Sequence, residues 1–242
     1  MKTKSLSVAT LLFQSLLHRE EKRFFSNVDG WLNVTDIWDS CMRQIYLSRT
    51  QNVPVMQSIH PRERMKFEMG KMLEEVVKKW MRELDIVVDH EHVKDPELKI
   101  IGHEDVRFKN GTIGEIKAID PALFRLAAKY PLKHHQFQVE TYLNLDKQFK
   151  EAKLLSFSYG NETMPFRDQT VRFNLKTNEL VKRTVGTLRE AEAGGVLPGR
   201  ACKGASDARA AVCPVVRQCF QLDSSGIAQT IKQIIEKGRI DG

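Results

Sequence analysis

The chain has 242 residues, of which 41% are hydrophobic and 29% charged, so it can bury one sizeable core and has the composition of a soluble globular protein. It contains no internal repeat, no low-complexity segment and no run of about 18 apolar residues, which excludes repeat architectures and membrane-spanning helices. The net charge of +7 fits a partner that carries phosphates, but many soluble proteins share such a charge.

The first 25 residues combine two lysines with a leucine-rich run, as a secretory signal does. The apolar run is interrupted by Ser, Thr and Gln14, and the charged sequence HREEKR follows it in place of a small-residue cleavage site. We therefore predict a cytoplasmic protein whose first helix is amphipathic, with an apolar face formed by Leu11, Leu12, Leu16 and Leu17.

The segment from Leu32 to Arg49 predicts the next helix. Thr35 can cap its N-terminus, and Cys41 and Arg43 lie along it. A lone cysteine on such a helix is usually a small buried apolar residue. The apolar face is formed by Trp38, Met42, Ile45 and Tyr46.

A long helical pattern runs from Arg62 to Leu84. It carries Glu74 beside Glu75, a pair that is typical of a solvated surface. Its lysines, which face either DNA or only water, are Lys71, Lys78 and Lys79. Its apolar positions are Phe67, Met69, Leu73, Val76, Val77, Trp80 and Leu84.

The segment from Ile86 to Val93 is predicted to form one strand, in which His90 and His92 alternate with Glu91. Such histidines suggest zinc, but the sequence offers no further ligand at a suitable spacing. We therefore expect both histidines to be surface residues of the strand.

A β-hairpin is predicted between Lys99 and Ile119, because the pair Asn110-Gly111 separates two strand-like runs. Glu115 and Lys117 point to the same face of the second strand, since side chains alternate along a strand. A two-residue loop would place Asp105 on the opposite face. We choose the three-residue loop, with Gly111 left-handed, because it places Asp105 opposite Glu115.

The hairpin thus brings two carboxylates and one ammonium to one face of a sheet. Oxygen ligands suit a hard cation such as Mg²⁺ or Mn²⁺, whose bound water becomes a nucleophile near neutral pH. A lysine beside it can orient that water or stabilise charge on a phosphate. The alternative is a hairpin with ordinary surface charges, because Glu-x-Lys is a short pattern that is common in strands.

Two further helices are predicted to begin at Asp120-Pro121 and at Pro131. The second helix carries His135, Gln138 and Tyr142 at positions i, i+3 and i+7, which lie on one stripe. The polar stripe follows the carboxylate hairpin closely, which favours a site. The alternative is a half-buried helix face with Tyr142 in the core.

These residues resemble the PD-(D/E)XK nuclease superfamily of the RecB-like type. The resemblance implies that Asp105 and Glu115 bind the metal, Ile116 lends a backbone carbonyl and Lys117 assists the attacking water. It also implies that Gln138 and Tyr142 act near the scissile bond and contact DNA, and His135 could join that face. The implied fold is an α/β restriction-endonuclease-like core.

The resemblance extends to the preceding helices. Family members often carry Gly-x3-His on the long helix, and this chain has Gly70 followed by Glu74, a carboxylate that could serve as a third metal ligand. In RecB-like nucleases with an iron–sulfur cluster, a Cys-x-Arg element supplies the first cluster ligand. Cys41 matches that ligand, and Arg43 beside it is a possible DNA contact.

The C-terminal half completes the α/β pattern. Two strands are predicted at Ala152–Tyr159 and Gln169–Asn174, followed by a helix from Lys176 to Ala193 that ends at Gly194-Gly195. Together with the hairpin, this order indicates a mixed central sheet flanked by helices.

Three more cysteines follow, Cys202, Cys213 and Cys219. Four thiols in a cytoplasmic chain are typical of ligands to zinc or to a [4Fe–4S] cluster. One distant cysteine and three near the C-terminus resemble the iron–sulfur subgroup, which includes CRISPR-adaptation nucleases and phage relatives. Ten residues separate the second cysteine from the third, more than in the common form. Such a cluster would act as a staple that joins the N- and C-terminal segments.

The sequence therefore predicts one domain over residues 1–242, with a nuclease core at about 60–195 and cluster-binding elements at 32–49 and 197–223. The expected function is metal-dependent exonuclease action on single-stranded DNA ends, in recombination, repair, phage replication or CRISPR adaptation. A final amphipathic helix, Ser224 to Arg239, could pack on the domain or mediate self-association. The alternatives are a non-catalytic DNA-binding protein on the same fold and a four-cysteine zinc structural protein.

Overall fold

A computed structural model describes residues 22–23, 30–38, 41–51, 53, 55–56, 61–127, 132–160, 165–211 and 213–221. The strands of this part of the chain are β1 Lys22–Arg23, β2 Leu32–Asn33, β3 Val55–Met56, β4 Val87–Val88, β5 Val93–Asp95, β6 Ile100–Gly102, β7 Val106–Phe108, β8 Ile113–Ile119, β9 Glu151–Ser158 and β10 Phe166–Arg172. The helices are α1 Val34–Ile37, α2 Met42–Thr50, α3 Pro61–Glu83, α4 Pro121–Ala127, α5 Lys133–Leu145, α6 Leu175–Gly194, α7 Ala208–Ala211 and α8 Val216–Phe220.

The central sheet has the strand order β10-β9-β8-β7-β4. Strands β8 and β9 are parallel and the other neighbours are antiparallel, so the sheet is mixed, as predicted. A parallel pair needs a crossover connection, and α4 and α5 provide it here. The two helices therefore follow directly from the strand that carries the predicted site.

Helices cover both faces of this sheet. On one face Val77 and Met81 of α3 pack with Ile116 and Phe157. On the other face α5 and α6 form the larger cluster with Ile113, Leu154 and a second sheet of order β2-β6-β5. Because successive residues of β8 face opposite layers, Glu115 and Lys117 point to the α5 side, whereas Ile116 points to α3.

The hairpin between β7 and β8 closes with the predicted three-residue loop. Phe108 N–H donates to Thr112 O at 2.8 Å, and Gly111 has φ +85°, a left-handed conformation that favours glycine. The register pairs Val106 with Gly114, so its continuation by one residue sets Asp105 opposite Glu115. Asp105 and Glu115 consequently occupy opposite positions of the hairpin.

The predicted helix from Leu32 to Arg49 was wrong as one element. Asn33, rather than Thr35, caps α1, and Asp36 accepts a hydrogen bond from Asn33 N–H at 3.3 Å. Trp38 has an extended backbone that ends α1, and its ring packs on Phe137 with 4.8 Å between ring centroids. Cys41 then stands at the N-cap of α2 rather than on a continuous helix.

The predicted strand from Ile86 to Val93 was also wrong as one element. It divides into β4, which pairs with β7, and β5, which pairs with β6 in the other sheet. The chain turns between the two strands, so His90 and His92 lie in a connection and not on a strand surface. In this connection both histidines lie within 4 Å of the Glu104 carboxylate.

The long helix α3 has nearly its predicted bounds, but its apolar face is narrower. Val77 and Met81 are buried and Leu73 is half-buried. Several predicted face positions are exposed: Phe67, Met69, Val76, Trp80 and Leu84. Helix α6 is close to its prediction and ends at Gly195, which has φ +64°.

Two predicted helices fall outside the described residues: the leucine-rich one near the N-terminus and the one from Ser224 to Arg239. Among the residues that the structure describes, no helix is both long enough and apolar enough to cross a bilayer.

Candidate active site

Asp105 lies just before β7 and is held by backbone and side-chain donors. Its Oδ2 accepts the Ile116 N–H at 2.8 Å, and its Oδ1 is 3.0 Å from Lys78 Nζ on α3. The first contact fixes the carboxylate against β8, and the second places a cation beside it. A charged donor of this kind forms a strong hydrogen bond with a carboxylate and fixes its orientation.

Glu115 is the most buried acidic group of the site, at 2% exposure. Its Oε1 accepts hydrogen bonds from Gln138 Nε2 at 2.7 Å and from Lys117 Nζ. Its Oε2 is buried and has no hydrogen-bond partner among the described residues. Burial raises the pKa of Glu115 to about 7, against the lowering effect of Lys117. A buried carboxylate oxygen without a donor is costly, and a cation would satisfy it.

Lys117 and Glu74 are two further charged residues whose pKa values depend on Asp105 and on burial. Burial lowers the pKa of Lys117, but the carboxylates of Glu115 and Asp105 outweigh it and raise that pKa, so the ammonium is charged at neutral pH. The pKa of Glu74 is raised above its ordinary value. Burial is the largest cause and Asp105 the next, while Lys117 and Lys78 act in the opposite direction. Glu74 is thus half-buried within the electrostatic field of the site, and not a fully solvated surface residue.

Gln138 and Tyr142 support the site from α5. Gln138 Nε2 contacts Glu115 Oε1 and is 2.6 Å from the Tyr142 hydroxyl oxygen, and that hydroxyl donates to His103 O at 3.1 Å. Tyr142 is 2% exposed, so its ring belongs to the core of this structure, and its predicted contact with DNA stays a prediction. Both side chains position Glu115 in this structure.

His135 lies near the same group of charges. Its Nδ1 is buried and without a hydrogen-bond partner in the described part of the chain. Burial, His134 and Lys117 lower the pKa of His135 to about 3, so the imidazole is neutral at physiological pH. The His134 ring lies against it at 4.0 Å between centroids. A neutral, partly enclosed imidazole beside a cationic lysine can accept or donate one hydrogen bond.

Lys78 is a site residue that the sequence reasoning missed. The sequence predicts that Lys78 faces either DNA or water, whereas its ammonium contacts Asp105 at 3.0 Å and Glu75 at 3.2 Å. The available signal was its position four residues after Glu74, because residues i and i+4 share one helix face. If Glu74 faces the site, Lys78 does so as well.

The four cysteines line one cavity of about 250 Å³. Cys41 comes from the N-cap of α2 and Cys219 from α8, while Cys202 and Cys213 lie in the segment between α6 and α8. All four are free thiols. Ala201 N–H donates to Cys41 Sγ at 3.4 Å, which fixes the C-terminal segment against α2.

Arg43 lies beside this cavity. Its Nε donates to Pro198 O at 2.7 Å, and its guanidinium hydrogen-bonds the Cys219 thiol. Burial raises the pKa of Cys219, and Arg43 opposes that shift. Arg43 therefore contacts the segment that forms the cysteine cavity in this structure. Its predicted contact with DNA stays a prediction.

No known family model and no curated protein matches the sequence. Solved structures do match: the alkaline exonuclease LHK-Exo from Laribacter hongkongensis is 13% identical, with a TM-score of 0.53 over 77% of this chain and 94% of that chain. The chain is similar in fold to an alkaline exonuclease. The complex of LHK-Exo with dAMP gives 12% identity and a TM-score of 0.55 over the same shares.

At such identities the likeness to LHK-Exo establishes the fold and leaves the reaction to be argued from this chain's own side chains. The predicted α/β fold with a mixed central sheet and flanking helices is confirmed, and it is similar to the fold of LHK-Exo. The iron–sulfur subgroup is a finer prediction, on which the shared fold with LHK-Exo is silent.

Proposed function

We propose that this chain is a metal-dependent deoxyribonuclease that hydrolyses phosphodiester bonds at DNA ends. The observation that carries this proposal is the buried Glu115 carboxylate, one of whose oxygens has no donor among the described residues although Asp105 and Lys117 lie beside it. A buried carboxylate oxygen without a donor costs desolvation free energy, and a bound cation would offset that cost.

The residues present fit a hard divalent cation. Asp105 and Glu115 would hold Mg²⁺ or Mn²⁺, with Glu74 and the Ile116 carbonyl as further ligands, and every donor atom would be oxygen. When bound, the cation supplies Lewis-acid stabilisation of the phosphate and lowers the pKa of a water molecule.

The chain's own groups supply the remaining functions. Gln138 donates to Glu115 and leaves the other oxygen of that carboxylate available. Lys117 presents a charged ammonium next to Glu115, where it can orient a water molecule and stabilise negative charge on the phosphate. Lys78 forms an ion pair with Asp105, and the neutral His135 offers a hydrogen bond to the substrate.

The substrate class is DNA. LHK-Exo, which shares the fold, is an alkaline exonuclease whose structure has been solved with dAMP, a product-sized deoxynucleotide. The RecB-like resemblance supports the further proposal that this chain acts on single-stranded ends, in recombination, repair, phage replication or CRISPR adaptation.

We further propose that the four cysteines bind a [4Fe–4S] cluster. The support is that Cys41, Cys202, Cys213 and Cys219 line one cavity as free thiols, although they come from distant parts of the chain. Anaerobically prepared protein should then be brown with broad visible absorption. Colourless protein with stoichiometric zinc at these thiols would replace the cluster with a zinc site.

The decisive experiment is a time course on end-labelled linear DNA and on circular DNA, with and without Mn²⁺. We expect release of short products from the linear single strand only, and only with the metal. Lys117→Ala should abolish cleavage and retain the fold, whereas Lys153→Ala, on the neighbouring strand and paired with Asp168, should cleave normally. Equal rates in wild type and Lys117→Ala would refute the catalytic assignment, and binding without cleavage would indicate a non-catalytic DNA-binding protein.

A further inference from the structure

A second group of side chains that could bind a metal includes Glu104, the residue that precedes Asp105 in the chain. It consists of His90, His92 and Glu104, whose ligating atoms all lie within 4.8 Å of one another. His90 Nε2 is 3.8 Å from Glu104 Oε1, and His92 Nδ1 is 3.9 Å from Glu104 Oε2. The two imidazoles therefore approach the two oxygens of one carboxylate.

The carboxylate at the centre of this group is fixed. The Glu104 side chain is 0% exposed, Val93 N–H donates to its Oε2 at 3.1 Å, and Arg107 Nη2 donates to its Oε1 at 2.6 Å. Each carboxylate oxygen can accept more than one bond, so each retains a lone pair for a further partner. Hydrogen-bonded carboxylates of this kind are typical ligands, because the outer donors set their orientation.

The turn of the chain between β4 and β5 brings the histidines to that carboxylate. His90 Nδ1 is 3.4 Å from Val88 O, a backbone contact that orients the ring. The His92 ring lies against His103, with 4.1 Å between ring centroids. His90 Nε2 is 3.3 Å from Glu104 O as well as 3.8 Å from Glu104 Oε1, so a metal at Nε2 would replace the contact with that carbonyl. The Val88 carbonyl at Nδ1 would then be the outer partner that usually orients a metal-binding histidine.

We propose that His90, His92 and Glu104 bind a transition-metal ion of the Zn²⁺ class. Two imidazole nitrogens and one carboxylate oxygen suit such an ion, whereas Mg²⁺ prefers oxygen alone. With bonds of about 2.1 Å in tetrahedral geometry, neighbouring ligand atoms lie roughly 3.4 Å apart. One ligating atom of each residue already lies within 4.8 Å of the other two, so the three side chains need to close by at most about 1.4 Å. The fourth position is open to water.

A bound metal would connect the segment between β4 and β5, which carries His90 and His92, to Glu104, the residue that precedes Asp105. Neutralising Glu104 does not require the histidines, because Arg107 already pairs with it at 2.6 Å. Among the described residues this group also differs chemically from the candidate active site, whose ligands are oxygens, and from the cysteine cavity, whose ligands are thiols. Three donor sets of different chemistry allow the sites to be separated by experiment.

The test measures zinc in the full-length protein with its cysteine site as isolated. Wild type, His92→Ala and His90→Ala are equilibrated with Zn²⁺, dialysed and analysed for metal, with His134→Ala on α5 as the matched control. His92 is the safest position, because its side chain is 46% exposed and its removal spares the core. The four cysteines and the proposed oxygen ligands of the candidate active site are unchanged in all four proteins, so zinc bound by those groups cancels in the comparison.

We expect wild type and His134→Ala to retain one more zinc ion per chain than His92→Ala and His90→Ala. In histidine-labelled protein, Zn²⁺ should shift the ring signals of His90 and His92, and excess Mg²⁺ should not reverse the shift. Equal zinc in all four proteins together with unmoved ring signals would overturn the proposal. Neither measurement uses nuclease activity, so the result stands apart from the proposed function.

Discussion

Replacing Glu115 with glutamine should stabilise the protein in the absence of divalent cations, although it removes a proposed metal ligand. The folded protein holds the pKa of Glu115 at about 7, against an ordinary value of 4.5. As the pH rises from about 5 to about 8, the unfolded chain loses its proton first, so the free energy of unfolding falls over this window. Glutamine stays neutral at every pH and avoids that loss.

The magnitude follows from the shift. About 2.5 pKa units at 1.36 kcal/mol each give roughly 3 kcal/mol near pH 8 and less than about 1 kcal/mol near pH 5. For a chain of this length, that difference corresponds to an increase of roughly 6 to 12 °C in Tm near pH 8. The side-chain amide of the Glu115→Gln protein could still accept the hydrogen bonds of Gln138 and Lys117 through its carbonyl oxygen.

The assay is thermal unfolding in a chelator of labile cations, followed at both pH values. Glu140→Gln is the matched control, because Glu140 is also buried but accepts from three neutral groups, those of Gln136, Asn174 and Thr177. That control should lose stability at both pH values, since an amide nitrogen cannot accept these bonds. A Glu115→Gln protein no more stable than wild type near pH 8 would refute the reasoning, as would a Tm increase with Mn²⁺ that equals that of wild type.

Three other predictions concern the support of the site and the cysteine cavity. Gly102→Ala should lose roughly 1–3 kcal/mol in denaturant unfolding, because its new Cβ would lie 2.5 Å from Tyr142 Cδ1, whereas Gly186→Ala, with nothing within 4 Å, should gain about 0.5–1 kcal/mol. Tyr142→Phe should keep the fold and reduce cleavage by roughly tenfold, because Gln138 loses the partner that orients it; unchanged cleavage would remove that positioning role. Cys213→Ser should lose the visible absorption and unfold at a lower temperature, and retention of full absorption would contradict the ligand assignment.

The hairpin could be predicted from the sequence because its determinants are local. Asn110-Gly111 specifies the turn, and the glycine with φ +85° fixes the register that sets Asp105 opposite Glu115. Strand alternation then assigns Lys117 to the same face. The chemistry of the candidate site thus follows from about a dozen consecutive residues.

Other parts depend on contacts between distant segments and could not be predicted in the same way. His90 and His92 alternate as strand residues do, and only the transfer of β5 to a second sheet turns them toward Glu104. The role of Tyr142 depends on Gly102, which leaves room for its ring. Tertiary packing decided these positions, and a periodic pattern does not contain that information.

The position of the cysteine cavity has a consequence for oxygen tolerance. All neighbours in the central sheet come from residues 87–172, whereas the cavity joins position 41 to positions 202–219. Oxidative damage to the thiols would loosen the contact of positions 202–219 with Cys41, while the ion pair of Arg49 with Glu192 still holds α2 to α6. Asp105, Glu115 and Lys117 would stay in their hydrogen-bonded register. If the proposed cluster occupies the cavity, exposure to air would therefore act on this peripheral contact, whereas Asp105, Glu115 and Lys117 carry no sulfur and would be unchanged.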